Sequence, residues 1–223
     1  MIPIILQATT TTTILLLSLL LSTPTTTTAD IVLDTRKNPV VAGSYYSVVS
    51  IFFTEAGADV SLGITMFNNG TLSCPSFIVA RSEIFDIHIK FTPQTITEKN
   101  YVYTSSNLNI AFEYLKPEPD CHRRYTTVWT VSGTENGNMV VLDGEEGRDG
   151  SMFKLEKVDY LTFPIYSIWY GDKAVLYDEQ PNGETLLGLE KGYPFLVWLF
   201  LGGPSTSALA ELGIKLKGVG ANL

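Results

Sequence analysis

Residues 108–112 read Leu-Asn-Ile-Ala-Phe, and residues 44–53 read Ser-Tyr-Tyr-Ser-Val-Val-Ser-Ile-Phe-Phe. The first run alternates large apolar with small or polar side chains. That is the two-residue repeat of a strand with one buried and one wetted face. The second run is aromatic and β-branched almost throughout, the composition that packs on a pleated surface. Working outward, runs of the same kind recur at 77–79, 87–91, 127–131, 139–142, 152–158, 165–170, 174–177, 185–189 and 194–201. Between the runs stand Asn69-Gly70, Asn136-Gly137, Asp143-Gly144, Asp149-Gly150 and Asn182-Gly183. Such pairs suit the positive φ of tight hairpin turns. No stretch before Leu201 carries a capped helical period. About ten to twelve short strands at this spacing predict an all-β barrel or sandwich. Residues 202–223 are small and Gly-rich and read as a loosely ordered tail, with one helical turn around 207–212.

Composition narrows the function classes. The 223 residues are 45% hydrophobic and 17% charged, too apolar for a disordered chain. With 18 Gly and 2 Cys, neither collagen nor a disulfide-dense miniprotein is possible. The net charge of −8 argues against a nucleic-acid partner, whose phosphates need a basic face. Residues 1–29 contain no Asp, Glu, Lys or Arg, and Ile14 to Leu21 reads ILLLSLLL ahead of Thr27-Thr28-Ala29. This pattern predicts a secretory signal peptide cut after Ala29. The rival reading is an uncleaved membrane anchor, which would need about 20 apolar residues. The expected product is one domain over 30–201 with the tail 202–223. It would be a monomer, extracellular or vacuolar, with no membrane contact after cleavage.

Cys74 and Cys121 are the two thiols. An oxidising compartment and an even count favour a disulfide, which chain entropy would make worth about 4 kcal/mol. A zinc site is weaker, since His88 and His122 supply no ligand spacing. Cys121-His122 as a nucleophile pair is weaker still, because catalytic partners meet in space and not in sequence. Asn69-Gly70-Thr71 is an N-glycan acceptor in a secreted chain, or else an unmodified turn. The absence of G-x-S-x-G, H-E-x-x-H and P-loop motifs speaks against an enzyme. Glu145-Glu146 reads as solvated charge in a Gly-rich turn, although two distant carboxylates of a glycosidase would leave no spacing signal. No cofactor or metal is expected.

Several segments resemble, in order, the plant Kunitz (soybean trypsin inhibitor and miraculin-like) family. They are Asp30-Ile31-Val32-Leu33-Asp34-Thr35 with Asn38-Pro39-Val40, Gly43 and Tyr45-Tyr46; Cys74-Pro75 with Ile78-Val79 and Arg81; and 105–112, SSNLNIAF. Thr127-Val128-Trp129, Phe153-Lys154-Leu155-Glu156-Lys157, Tyr166-Ser167-Ile168-Trp169 and Pro194-Phe195-Leu196-Val197 continue the series. The resemblance implies a β-trefoil, twelve strands in three pseudo-repeats, which composition and periodicity cannot separate from a sandwich. It also implies an inhibitor that lays an exposed, substrate-like loop in the cleft of a serine protease of trypsin or chymotrypsin type.

By the family's layout that loop is 93–103, PQTITEKNYVY, with the P1 side chain at Glu98 or Lys99 and Asn100 beside them. Lys99 suits a pocket floored by an Asp; Glu98 would be repelled there. The plain alternative is an ordinary solvated lysine on a variable loop. Three departures bear on function. The loop after Trp169 is short and lacks a second pair of cysteines, and Met152 replaces a Trp. Ala42 stands where inhibitory members carry an Asn that supports the loop. They keep open a non-inhibitory storage, defence or ligand-binding protein on the same scaffold.

Overall fold

β-Branched and aromatic side chains lose rotamers in a helix and pack well on a sheet, and the runs rich in them are strands. The computed structural model describes residues 29–54, 57–61, 63–67, 77–81, 88–113, 126–134, 137–159, 164–180 and 183–201. Fifteen strands lie among them. They are β1 Tyr45–Thr54, β2 Gly57–Ser61, β3 Gly63–Phe67, β4 Phe77–Arg81, β5 His88–Pro93, β6 Leu108–Phe112, β7 Trp129–Thr134 and β8 Gly137–Leu142. Then come β9 Lys154–Lys157, β10 Tyr166–Tyr170, β11 Lys173–Ala174, β12 Leu176–Glu179, β13 Thr185–Gly188, β14 Tyr193–Pro194 and β15 Leu196–Leu201. The helical element among the described residues is one 3₁₀ turn, Asp149–Ser151.

Six strands form a barrel in the order β6-β5-β1-β15-β10-β9. A bridge between Leu108 and Phe153, with both backbone hydrogen bonds at 2.8–2.9 Å, closes it on itself. Every second residue points in: Tyr46 and Val48, Ile89 and Phe91, Leu108, Ile110 and Phe112, Phe153 and Leu155, Tyr166 and Ile168, Val197 and Leu199 are all buried in one core. Closure leaves no barrel edge to pair with another chain.

Three hairpins cap one end. β3–β4, β7–β8 and β12–β13 each pair with the other two, through Thr185 with Ala80, Phe77 with Val141, and Gly188 with Met139. Each hairpin sits in sequence between two barrel strands. The units β1/β3/β4/β5, β6/β7/β8/β9 and β10/β12/β13/β15 therefore repeat one plan three times. This is the β-trefoil with its twelve strands, and β2, β11 and β14 are short additions to it.

The structure departs from the sequence reading in four places. Both faces of β6 are buried, because the segment 143–151 folds over the outer face: Asn109 donates from Nδ2 to the Ser151 carbonyl and accepts from the Gly147 N–H, each at 2.8 Å. Neither Asp143-Gly144 nor Asp149-Gly150 makes a hairpin: the first lies in the irregular segment after β8, without positive φ, and the second in the 3₁₀ turn. The runs 174–177 and 194–201 are each split in two. Val175 and Phe195, both fully buried, mark the corners where the chain passes between barrel and cap, and the Phe195 N–H donates to the Val175 carbonyl. β2 and β3 went unread, because Gly57-Ala58-Asp59 and Gly63 lack strand composition.

Candidate functional site

The connection from β5 to β6 leaves the barrel at the end away from the hairpins, where residues 30–44 also run. Asp34 begins the arrangement. Its buried carboxylate accepts the N–H groups of Arg36 and Asn38 at 2.9 and 2.8 Å, folding 34–38 into a tight turn. The turn doubles the chain back so that Leu33 bridges Pro39. Two barrel tyrosines reach out to hold the result. The Tyr166 hydroxyl accepts the Leu33 N–H at 2.7 Å, and the Tyr46 hydroxyl accepts the Val41 N–H at 2.9 Å. Burial pushes both phenols above their ordinary range; the backbone bonds work against the rise and the Asp34 carboxylate adds to it.

Val32, Val40 and Val102, each fully buried, stopper the barrel mouth. Val102 belongs to the loop itself, so the loop is bolted to the stopper. The Val32 N–H donates to the Val102 carbonyl and the Val102 N–H to the Val40 carbonyl, both at 2.9 Å. Bridges between Ile31 and Tyr103 and between Val41 and Tyr101 flank this pair. At the loop's other root the Gln94 N–H donates to the Asn107 carbonyl at 2.9 Å, and the two side chains meet at 3.3 Å.

Between these roots the tip stands in solvent. Ile96 is 78% exposed, although it is a large apolar side chain. Glu98, Lys99 and Asn100 are all exposed. The Asn100 N–H donates to the Thr97 carbonyl at 2.9 Å, which makes Glu98 and Lys99 the two central residues of a β-turn. Asn100 has φ 54°, the left-handed conformation that Asn tolerates better than most residues. Its carbonyl accepts the Ala42 N–H at 2.8 Å, and its Nδ2 donates to the Ala42 carbonyl at 3.1 Å. Neither Glu98 nor Lys99 forms an ion pair among the described residues.

The three consecutive loop candidates thus share one exposed tip, and Ala42 lies directly against it. The tip of the expected loop is a closed turn. Cys74, Cys121 and Asn69 lie outside the described residues. Sequence reasoning missed the roles of Tyr46 and Tyr166, which read as ordinary core aromatics, and of Gln94 and Asn107, which carry no signal. Among the described residues no three His, Cys, Asp or Glu side chains gather to hold a metal.

A family model described as trypsin and protease inhibitor matches residues 32–199. No curated protein sequence matches the chain. Its fold is similar to several solved structures. The water-soluble chlorophyll protein of Brassica oleracea var. Botrytis with chlorophyll-b has a TM-score of 0.63 at 19% identity, over 77% of this chain and 98% of that one. The Kunitz-type cysteine protease inhibitor PCPI-3 from potato has a TM-score of 0.62 at 20% identity, over 80% and 100%. Soybean trypsin inhibitor in complex with porcine pancreatic trypsin has a TM-score of 0.61 at 20% identity, over 78% and 99%.

Proposed function

The chain belongs to the legume Kunitz family of trypsin and protease inhibitors, and from that premise we propose that it inhibits a serine endopeptidase of trypsin or chymotrypsin type. It acts by recognition, without catalysis, through the loop 93–103. The observation that carries this reading is the fastening of the loop. Backbone bonds to the segment 30–42 hold one root and the Gln94–Asn107 pair holds the other, while the tip stays exposed. A loop already fixed loses little entropy on docking, which is where a rigid binder gains its affinity. Lys99 is the P1 candidate for a pocket with an Asp at its floor.

Titration against trypsin and chymotrypsin tests the proposal. Inhibition of trypsin should weaken on Lys99→Ala by about 2–5 kcal/mol, the cost of leaving a buried charge unpaired. Absence of inhibition of serine, cysteine and aspartic proteases at micromolar concentration would overturn it.

A specific observation favours a second reading. A protease cleft takes its ligand extended, in the manner of an added strand, whereas Glu98 and Lys99 sit in a hydrogen-bonded turn. A non-inhibitory storage, defence or ligand-binding protein has no need to open that turn. The similarity to a chlorophyll protein points the same way.

We place the chain in the secretory pathway, extracellular or vacuolar, on the uncharged Leu-rich segment before Asp30. The Cys74–Cys121 bridge and a glycan on Asn69 follow from that compartment. N-terminal sequencing of the purified protein should begin at or within a few residues of Asp30, and an intact Met1 would overturn the assignment.

A further inference from the structure

Asn100 takes part in three hydrogen bonds at the loop tip. Its N–H closes the turn on Thr97, its carbonyl takes the Ala42 N–H, and its side-chain amide closes on the Ala42 carbonyl. The last two bonds engage both backbone polar groups of Ala42 from a single residue. They lie next to the Val41–Tyr101 bridge and extend it to the loop tip. The Ala42 methyl rests against the barrel core, so the amide that spans the gap comes from the loop side. Asn100 is exposed and contributes nothing to that core, so its side chain acts on the loop alone.

We infer that Asn100 is a positioning residue: its carboxamide, clasped on the Ala42 carbonyl, fixes the direction of Lys99 and protects the Lys99–Asn100 peptide bond. A protease that attacks the Lys99 carbonyl must first extend the backbone on both sides of it. Extension breaks the turn bond to Thr97 and the clasp together. Hydrolysis would then add one water across the bond, leaving a carboxylate on Lys99 and an ammonium on Asn100. The consequence for inhibition rests on the inhibitor reading above, whereas the protection of the bond does not.

Two substitutions isolate the amide. Asn100→Gly keeps the left-handed backbone and removes the side chain. Asn100→Asp keeps the shape and replaces the donor with a carboxylate facing the Ala42 carbonyl. Each variant is digested with trypsin, and cleavage after Lys99 is divided by the rate on a free peptide of residues 94–104 carrying the same change. The ratio should rise roughly fivefold in both, the equivalent of one net hydrogen bond. The melting temperature and cleavage at every other Lys and Arg should stay as in the parent. Amide hydrogen exchange over residues 97–102 reads the same opening without a protease and should quicken by a similar factor. An unchanged ratio with unchanged exchange, or acceleration spread evenly over all cleavage sites, would overturn the inference. A parent that fails to inhibit trypsin while the ratio rises sinks the inhibitor reading and leaves the clasp standing. A parent that inhibits while both variants inhibit equally well, with no rise in the ratio, does the reverse.

Discussion

Gly192 has φ 117°, and a Cβ built on it would overlap the carbonyl oxygen of Tyr177 on β12. Backbone on that side cannot yield, because Tyr177 is paired with Tyr193 and Leu187. Gly192→Ala is therefore expected to destabilise by more than about 4 kcal/mol, or to prevent folding, in urea unfolding. Gly171 gives the contrast. It has φ 60° with open space where a Cβ would stand, so Gly171→Ala should cost only the left-handed strain, about 1–2 kcal/mol. The sequence marks both simply as glycines in turn regions. Only the strand packed behind Gly192 separates them. The same holds for Asn100. Its type suits a left-handed turn, but nothing in the chain order says that its amide meets Ala42, 58 positions away.

β6 shows what periodicity reads and what it misses. Leu108, Ile110 and Phe112 alternate inward as their spacing predicts. The outer face carries Asn109 and Ala111, a polar and a small residue, and the pattern alone calls it wet. In the fold Asn109 is 2% exposed, because its amide anchors the 143–151 segment at Ser151 and Gly147. Lys90 on β5 adds an ion pair to Glu146 of that segment at 2.9 Å. Asn109→Ala leaves the carbonyl of the buried Ser151 and the N–H of the exposed Gly147 without these partners. It should cost about 1–3 kcal/mol in urea unfolding, the penalty of one buried unsatisfied group, and speed hydrogen exchange at Gly147. Lys90→Ala, which removes a partly exposed pair, should cost no more than about 1 kcal/mol. A polar residue that covers itself with a distant loop looks, in sequence, like one that faces water.

The molecule as a whole is sealed at both ends of its barrel, by three hairpins at one and by Val32, Val40 and Val102 at the other. Three tyrosines, Tyr46, Tyr166 and Tyr177, are buried in this body, and the hydroxyls of the first two hold the segment 30–44 against it. Burial raises the pKa of each above the ordinary 10.0. The sign follows from linkage. An unfolded chain ionises its phenols near pH 10, while the folded chain must hold these three neutral, so the unfolded state gains and stability falls. Their contribution is complete below pH 10 and is lost as pH rises from there toward the folded values. The melting temperature should be flat in this respect up to about pH 9 and drop steeply beyond pH 10. Tyrosinate absorbance should show late-titrating phenols that appear together with unfolding. Tyr46→Phe and Tyr166→Phe should reduce the drop.

The sequence alone determined that this chain is all-β and where most of its strands lie. These are local properties: side-chain shape favours extended backbone, two-residue alternation sorts faces, and Gly, Asn and Asp mark turns. The family motifs in their order supplied the trefoil and the loop 93–103, since one pattern of alternating strands serves barrel and sandwich equally. Tertiary structure decided the rest. Closure of β6 onto Phe153, the sheet change at Val175 and Phe195, and the clasp of Asn100 on Ala42 all join residues distant in the chain. Such contacts depend on where whole elements come to rest, and a hydrogen bond between two backbones leaves no mark on the identity of either residue.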